Sequence, residues 1–232
     1  MRSVTRKEKK FLLDAVNAAQ AEARVASILT ADPHNGASGY PVRSLYFDTP
    51  DDRDFWAKID GLRNRRKVRL RTYGADADFA LLELKQKTND NQHKRGLRVP
   101  RADAIALSHG DLTCLRENQD PLAQELYGIM STWCYMPRMI VEYDRAAYVV
   151  RENSTRVTFD KRVRATEANT NLFDPNLAMY PVIDPFNVIL EVKFNTFLLS
   201  YVRRTLGTAV DRTETSVSKY ILGRGVSQDF VS

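Results

Sequence analysis

The sequence predicts an α+β fold, an antiparallel sheet or barrel of about eight strands with helices outside it. Three observations lead there. Most strand-like segments follow one another directly. The helical segments fall between them without the regular strand–helix alternation of a parallel sheet. Within the strands, charged and aliphatic residues alternate, which puts them on opposite faces.

Val4–Lys9 reads as a short strand, and Phe11–Leu29 as a helix whose many alanines favour that state. Asp32–Pro41 holds two prolines, two glycines and an asparagine, and is a loop. Val42–Asp48 is a strand of β-branched, aromatic and alternating residues. Pro50 opens a short helix at Asp51–Ile59, with aspartates at its positive end. Arg65–Tyr73 and Phe79–Lys87 are strands joined by a turn at Gly74-Ala75-Asp76, and His93–Pro100 is a further strand. Ala102–His109 and Pro121–Trp133 have helical spacing. Arg138–Val150, Thr155–Val163 and Val188–Phe194 are strands, with an irregular excursion at Asn169–Asp184. Thr196–Leu206 and Glu214–Leu222 close the chain as helices. Trp56 and Trp133 are expected to anchor the core. There is no internal repeat or domain boundary, so residues 1–232 read as a single domain.

Composition narrows the function. Of 232 residues, 43% are hydrophobic and 28% charged, a globular balance. Lys plus Arg is 35 against 29 for Asp plus Glu, and the net charge of +6 suggests a polyanionic partner. No apolar run is long enough to span a bilayer, and Met1–Lys10 is charged and lacks the apolar core of a signal peptide. A soluble, cytoplasmic protein is the expectation. Cys114 and Cys134 are too few for a disulfide framework. His34, His93 and His109 have no ligand-like spacing, which argues against a His/Cys zinc site. Walker A and Gly-x-Gly-x-x-Gly loops are absent, so side chains would have to hold any phosphate.

The informative pattern lies inside the strands. In Lys67-Val68-Arg69-Leu70-Arg71 one face is cationic and the other aliphatic. Glu83, Lys85 and Lys87 share a face, as do Arg156, Thr158, Asp160 and Arg162, and as do Glu191 and Lys193. Arg6, Glu8 and Lys10 share one face, and Lys94 and Arg98 another. Any one such face could simply be solvated. Together they are too rich in Arg and Lys for a merely wet sheet, because like charges opposite one another destabilise it. If helices cover the apolar faces and the sheet closes, the charges line a lumen. Two unit charges about 4 Å apart interact by roughly 4 kcal/mol at an effective dielectric near 20. Such a lumen calls for a bound polyanion, and arginine's planar fork suits phosphate. Glu8, Glu83 and Glu191 could hold a divalent cation, Mg²⁺ or Mn²⁺, or pair with the cations.

These segments, in order, resemble one family. Arg6-Lys7-Glu8-Lys9-Lys10 is similar to the Arg-x-Glu-x-Lys opening of the VTC (vacuolar transporter chaperone) polyphosphate polymerase domain, a member of the triphosphate tunnel metalloenzyme superfamily. Ser44–Thr49, Val68–Gly74, Leu82–Lys87, Tyr143-Asp144-Arg145, Arg156–Asp160, Leu190–Phe194 and Ser218-Lys219-Tyr220 continue in family order over nearly the whole chain. The resemblance implies a closed antiparallel β-barrel tunnel with surrounding helices. It implies Mn²⁺- or Mg²⁺-dependent transfer of the ATP γ-phosphoryl group to growing inorganic polyphosphate. It implies that Arg6, Lys10, Lys85, Arg156 and Lys219 hold phosphates, with Lys94 or Arg98 joining them. Arg69, Arg71 and Arg145 would stabilise the transferring group, and Glu191, with Glu8, would hold the metal. Many tunnel enzymes begin Glu-x-Glu-x-Lys; Arg6 in the first position tilts the expectation from hydrolysis toward polymer handling.

Two further readings stay open. One is a triphosphatase of the same fold. The other is a non-catalytic module that binds polyphosphate or inositol polyphosphate. A nucleic-acid partner is disfavoured, since no base-reading motif accompanies the basic residues. The sequence does not identify a membrane-protein partner.

Overall fold

A computed structural model describes residues 6–89, 91–210 and 214–229, apart from the side chains of Arg6, Thr208 and 227–229. The strands are β1 (Arg6–Asp14), β2 (Thr30–Ala31), β3 (Tyr40–Asp48), β4 (Asn64–Thr72), β5 (Phe79–Thr88), β6 (Asn91–Pro100), β7 (Met136–Val150), β8 (Thr155–Thr166), β9 (Tyr180–Pro181) and β10 (Asn187–Asn195). The helices are α1 (Ala15–Ile28), α2 (Arg53–Ile59), α3 (Arg101–Ser108), α4 (Thr113–Glu117), α5 (Pro121–Thr132), α6 (Ser200–Leu206) and α7 (Lys219–Asp229). The strands lie on one hydrogen-bonded path, β1-β10-β8-β7-β3-β4-β5-β6, with β2 on β7 and β9 on β8. The fold is α+β, as expected. β1 and β6 end the path, and among the described residues no pairing joins them, so the sheet is not closed into a barrel.

The chain divides into two compact units. Met1–Pro41, Tyr143–Val163 and Ile183–Ser218 form the first, and Val42–Glu142, Arg164–Val182 and Lys219–Ser232 the second. Each has an apolar strand face covered by helices. In the first unit Phe11 and Leu13 of β1, Val157 and Phe159 of β8 and Leu190 and Val192 of β10 pack with Ala18, Ala21 and Val25 of α1 and Val202 and Leu206 of α6. In the second, Leu45, Val68, Leu70, Leu82 and Leu84 pack with Leu107 of α3, Leu115 of α4 and Leu126 and Met130 of α5. Burying each such leucine contributes roughly 1.5–3 kcal/mol. The apolar faces are thus covered, and the opposite faces carry the charges.

Several boundaries differ from expectation for local reasons. The helix expected from Phe11 starts at Ala15, because Phe11 and Leu13 continue the period-two pattern of β1 into the core. Asp14 caps the helix by accepting the Asn17 N–H at 2.9 Å. The helix expected from Thr196 starts at Ser200; Thr196 itself has φ 58°. The last helix starts at Lys219 rather than Glu214, and the Thr215 N–H bonds the Lys10 carbonyl instead, at 2.9 Å. Trp56 and Trp133 are not core residues: they are 48% and 44% exposed. Trp133 is covered by the Arg53 guanidinium, 3.9 Å from its ring centroid.

Candidate functional site

In the second unit, antiparallel register sorts the charges into rows. Lys67, Lys85 and Lys94 form one row, Arg69, Glu83 and Gly96 the next, and Arg71, Leu81 and Arg98 a third. β3 extends two of them, placing Tyr46 opposite Arg69 and Ser44 opposite Arg71. These rows hold six cations and one carboxylate. Glu83 is 1% exposed and takes the Arg69 Nε at 2.5 Å, with the Lys94 ammonium paired to its other oxygen. Burial alone would raise its carboxyl, but Arg69, Arg71 and Lys94 outweigh that and hold it down to about 2. Burial, with Arg69 and Arg71, also outweighs Glu83 at Lys94 and lowers that ammonium. Arg71 is left short of partners. Its nearest carboxylate contact is Glu83 at 4.0 Å, and its Nε is buried with no hydrogen bond. The Ser44 hydroxyl, in the facing register position, is likewise buried and unpartnered. Buried polar groups normally find partners, so this pair is a gap of polar, phosphate-accepting character. Arg98 stacks on Phe79, 3.7 Å from the ring centroid.

In the first unit the described charges on the strand faces fall into pairs. Across β1, β10 and β8, Glu8, Lys193 and Arg156 form one row, and Lys10, Glu191 and Thr158 the next. The Lys10 ammonium lies 2.9 Å from Glu8 and 3.6 Å from Glu191, and Lys193 lies 3.4 Å from Glu8 and 2.6 Å from Glu191. The four make a closed square of alternating sign. Burial and the Glu191 charge push the Glu8 carboxyl up, and Lys10 and Lys193 together prevail and lower it. Arg145 donates two hydrogen bonds to Asp160, at 2.7 and 2.8 Å, and sits 5.2 Å from the centroid of Tyr143, whose face it shares. Arg156 pairs with Asp32 at 2.9 Å and donates to the Tyr40 hydroxyl at 3.1 Å. Among the described residues, the four cations named here meet four carboxylates.

The structure brings Arg69, Arg71, Lys85, Lys94 and Arg98 onto one face of the second unit. It groups Glu8, Lys10, Arg156 and Glu191 in the first, with Arg145 joined to them through Asp160 of β8. Arg6 opens β1 opposite Asn195, and its side chain lies outside the described residues. Lys219 is the first residue of α7. In the second unit α7 is anchored by Tyr220, which stacks on Tyr46 and donates to Asp48 at 2.7 Å. Asp48 is fully buried and also accepts the N–H groups of Thr49, Asp54 and Phe55 around the start of α2.

The family model of the VTC domain matches residues 5–227. The chain belongs to the VTC domain family. The resemblance read from the ordered strand segments is thereby borne out. No curated protein matches the chain. Among solved structures, a Hippeastrum protein described as a candidate adenylyl cyclase with a dominant triphosphatase activity is similar at TM-score 0.55 and 15% identity, over 94% of this chain and 95% of that one. A candidate adenylate cyclase from Vibrio parahaemolyticus is similar at 0.50 and 13%, over 95% and 98%. One from Bacillus halodurans is similar at 0.50 and 14%, over 98% and 100%. At these identities the likeness shows a shared fold.

The metal that the VTC resemblance implies has a matching donor set here. Glu8 and Glu191 offer carboxylate oxygens, and the Thr158 hydroxyl opposite Glu191 is buried without a partner. All-oxygen donors suit Mg²⁺ or Mn²⁺. Among the described residues no three His, Cys, Asp or Glu side chains stand close enough to cage an ion. A site of one or two carboxylates completed by phosphate oxygens is the habit of Mg²⁺. Among the described residues, no helix of this VTC domain is long and apolar enough to cross a membrane. Ser44, Asp32, Asp160 and Lys193 escaped the sequence-based site list. Lys193 and Asp160 were visible in the strand alternation, and only register could reveal their partners. Asp32 sits in a Pro- and Gly-rich loop with no periodicity to mark it.

Proposed function

We propose that the protein is an ATP-dependent polyphosphate polymerase, residues 1–232 acting as one VTC-like tunnel domain. The observation that carries this reading is the buried Arg71 guanidinium and Ser44 hydroxyl, both short of partners in the row next to Arg69 and Glu83. Family membership supplies the reaction class. Lys85, Lys94 and Arg98 in the second unit, and Arg6, Lys10, Arg156 and Lys219, bind phosphate oxygens of ATP and polyphosphate. Arg69 and Arg71 stabilise charge on the equatorial oxygens of the transferring group, and Arg145, oriented by Asp160, does the same. A terminal polyphosphate oxygen forms the new bond to the γ-phosphorus as the bond to the bridging oxygen breaks, and ADP departs with that electron pair. The attacking oxygen is already ionised near neutral pH, so no general base is required. Glu191 and Glu8 would hold Mn²⁺ or Mg²⁺, which when bound neutralises phosphate charge. The reaction belongs to the cytoplasm in this proposal.

Incubation with ATP and Mn²⁺ should give long-chain polyphosphate and ADP, and Arg69→Ala should abolish the polymer while leaving the protein folded. Orthophosphate without polymer would favour the second reading, a triphosphatase. The dominant triphosphatase activity of the Hippeastrum protein, which shares the fold, supports that alternative.

A further inference from the structure

We infer that Lys10 and Lys193 are built-in place-holders for the divalent cation, so that metal and phosphate load the first unit together rather than independently. The inference rests on the reading above for its choice of ligands. Its ground is the square of ion pairs: each carboxylate of Glu8 and Glu191 is held by both ammonium groups, at 2.6 to 3.6 Å. Two carboxylates and two ammonium groups make the square itself neutral.

Two ammonium charges and one divalent cation are electrostatic equivalents at these oxygens. An exchange leaves Glu8 and Glu191 neutralised and adds two net positive charges to the same face. Those charges then need anions, and phosphate oxygens are the chemistry that matches an ammonium. The two lysines are not equivalent. Lys10 also donates to the Val217 carbonyl at 3.3 Å, which tethers it. Lys193 has no ion-pair or hydrogen-bond partner besides Glu8 and Glu191 among the described residues, so it is the group that exchange displaces. The unpartnered Thr158 hydroxyl opposite Glu191 is a further oxygen able to follow the exchange. Glu83 in the second unit offers no comparable exchange, since it is enclosed by Arg69 and Lys94.

The test is a titration of Mn²⁺ without phosphate, reading free Mn²⁺ by electron paramagnetic resonance. Removing a competitor should tighten the metal, so Lys193→Gln should bind Mn²⁺ about fivefold or more tightly than wild type. The same variant should bind tripolyphosphate more weakly once Mn²⁺ is saturating. Lys193→Arg should return both affinities toward wild type. This opposite movement of two affinities is not something a merely structural lysine would produce. A Lys193→Gln protein with unchanged melting and unchanged or weaker Mn²⁺ affinity overturns the inference. Wild type gives an independent check if the variant does not fold. Tripolyphosphate should tighten Mn²⁺ beyond what their complex in solution accounts for, and equal affinities after that correction overturn the idea. Polymer formation with no such coupling would sink this inference and leave the polymerase reading standing. Coupling without polymer would do the reverse.

Discussion

The two charged faces are built from the same strand pattern and differ in their bookkeeping. In the second unit the three rows themselves carry six cations and the one carboxylate of Glu83. The first unit sets Lys10, Lys193, Arg145 and Arg156 against Glu8, Glu191, Asp160 and Asp32. Cations that outnumber the carboxylates in their rows favour an anion, because like charges opposite one another destabilise a sheet. A compensated face is closed until something separates its pairs. Alternating charge along a strand therefore does not by itself specify a function. The register that sets charges beside one another does.

The largest effect should come from Glu83, the only carboxylate in the three crowded rows. Glu83→Gln leaves Arg69, Arg71 and Lys94 without their shared counter-ion. Removing one partner of a buried ion pair costs about 3–5 kcal/mol, to be read as a lower urea midpoint. Tripolyphosphate should restore more stability to this variant than to wild type, since it replaces the missing charge. Next in size is Arg71. Arg71→Ala should weaken tripolyphosphate binding by about 1.5–3 kcal/mol, the usual worth of a hydrogen bond to a charged group. The loss should appear with or without metal and shrink at high salt. Equal losses from Arg71→Ala and Lys193→Gln in the absence of metal would break the contrast between the faces.

Two carboxyls of the second unit give a pH signature with opposite signs. Glu83 is depressed from 4.5 to about 2, so its contribution is full above 4.5 and is lost as pH falls toward 2. Asp54 is raised from 3.8 to about 7, first by burial and then by the Asp48 charge, against the Tyr135 hydroxyl that bonds it at 2.8 Å. Its folded form keeps a proton that the unfolded chain has released, so stability falls as pH rises from about 4 to 7. Urea melts across this range should rise with pH at the acid end and decline toward neutrality. Glu83→Gln should flatten the first limb and Asp54→Asn the second.

Much of this was legible in the strands. The alternation around Lys67, Arg69 and Arg71 gave both the covered apolar face and the charged one. The order of the segments gave the family. Register was not legible, because it depends on partners far along the chain, and so the sequence left Glu83 open between a metal ligand and an ion-pair partner, where the register sets it against Arg69 and Lys94. The β1–α1 boundary was missed because the alanines of α1 outweighed a short alternating stretch. The tryptophans were misplaced because size predicts burial only on average, and Trp133 is shielded by Arg53 instead.

The smallest effect is expected where geometry looks best. Arg95 of β6 gives Glu125 of α5 two bonds, at 2.5 and 2.7 Å, and a third at 2.7 Å to Gln86. Distance alone would rank this pair with Arg69–Glu83. The Arg95 and Glu125 side chains are 44% and 35% exposed, however, so water already satisfies both ions before they meet. Exposed pairs contribute about 0.2–1 kcal/mol. Glu125→Ala should therefore shift the urea midpoint only slightly, with little change in tripolyphosphate affinity. A loss as large as that of Glu83→Gln would mean that proximity, not burial and imbalance, sets the worth of these charges, and the contrast between the two faces would lose its basis.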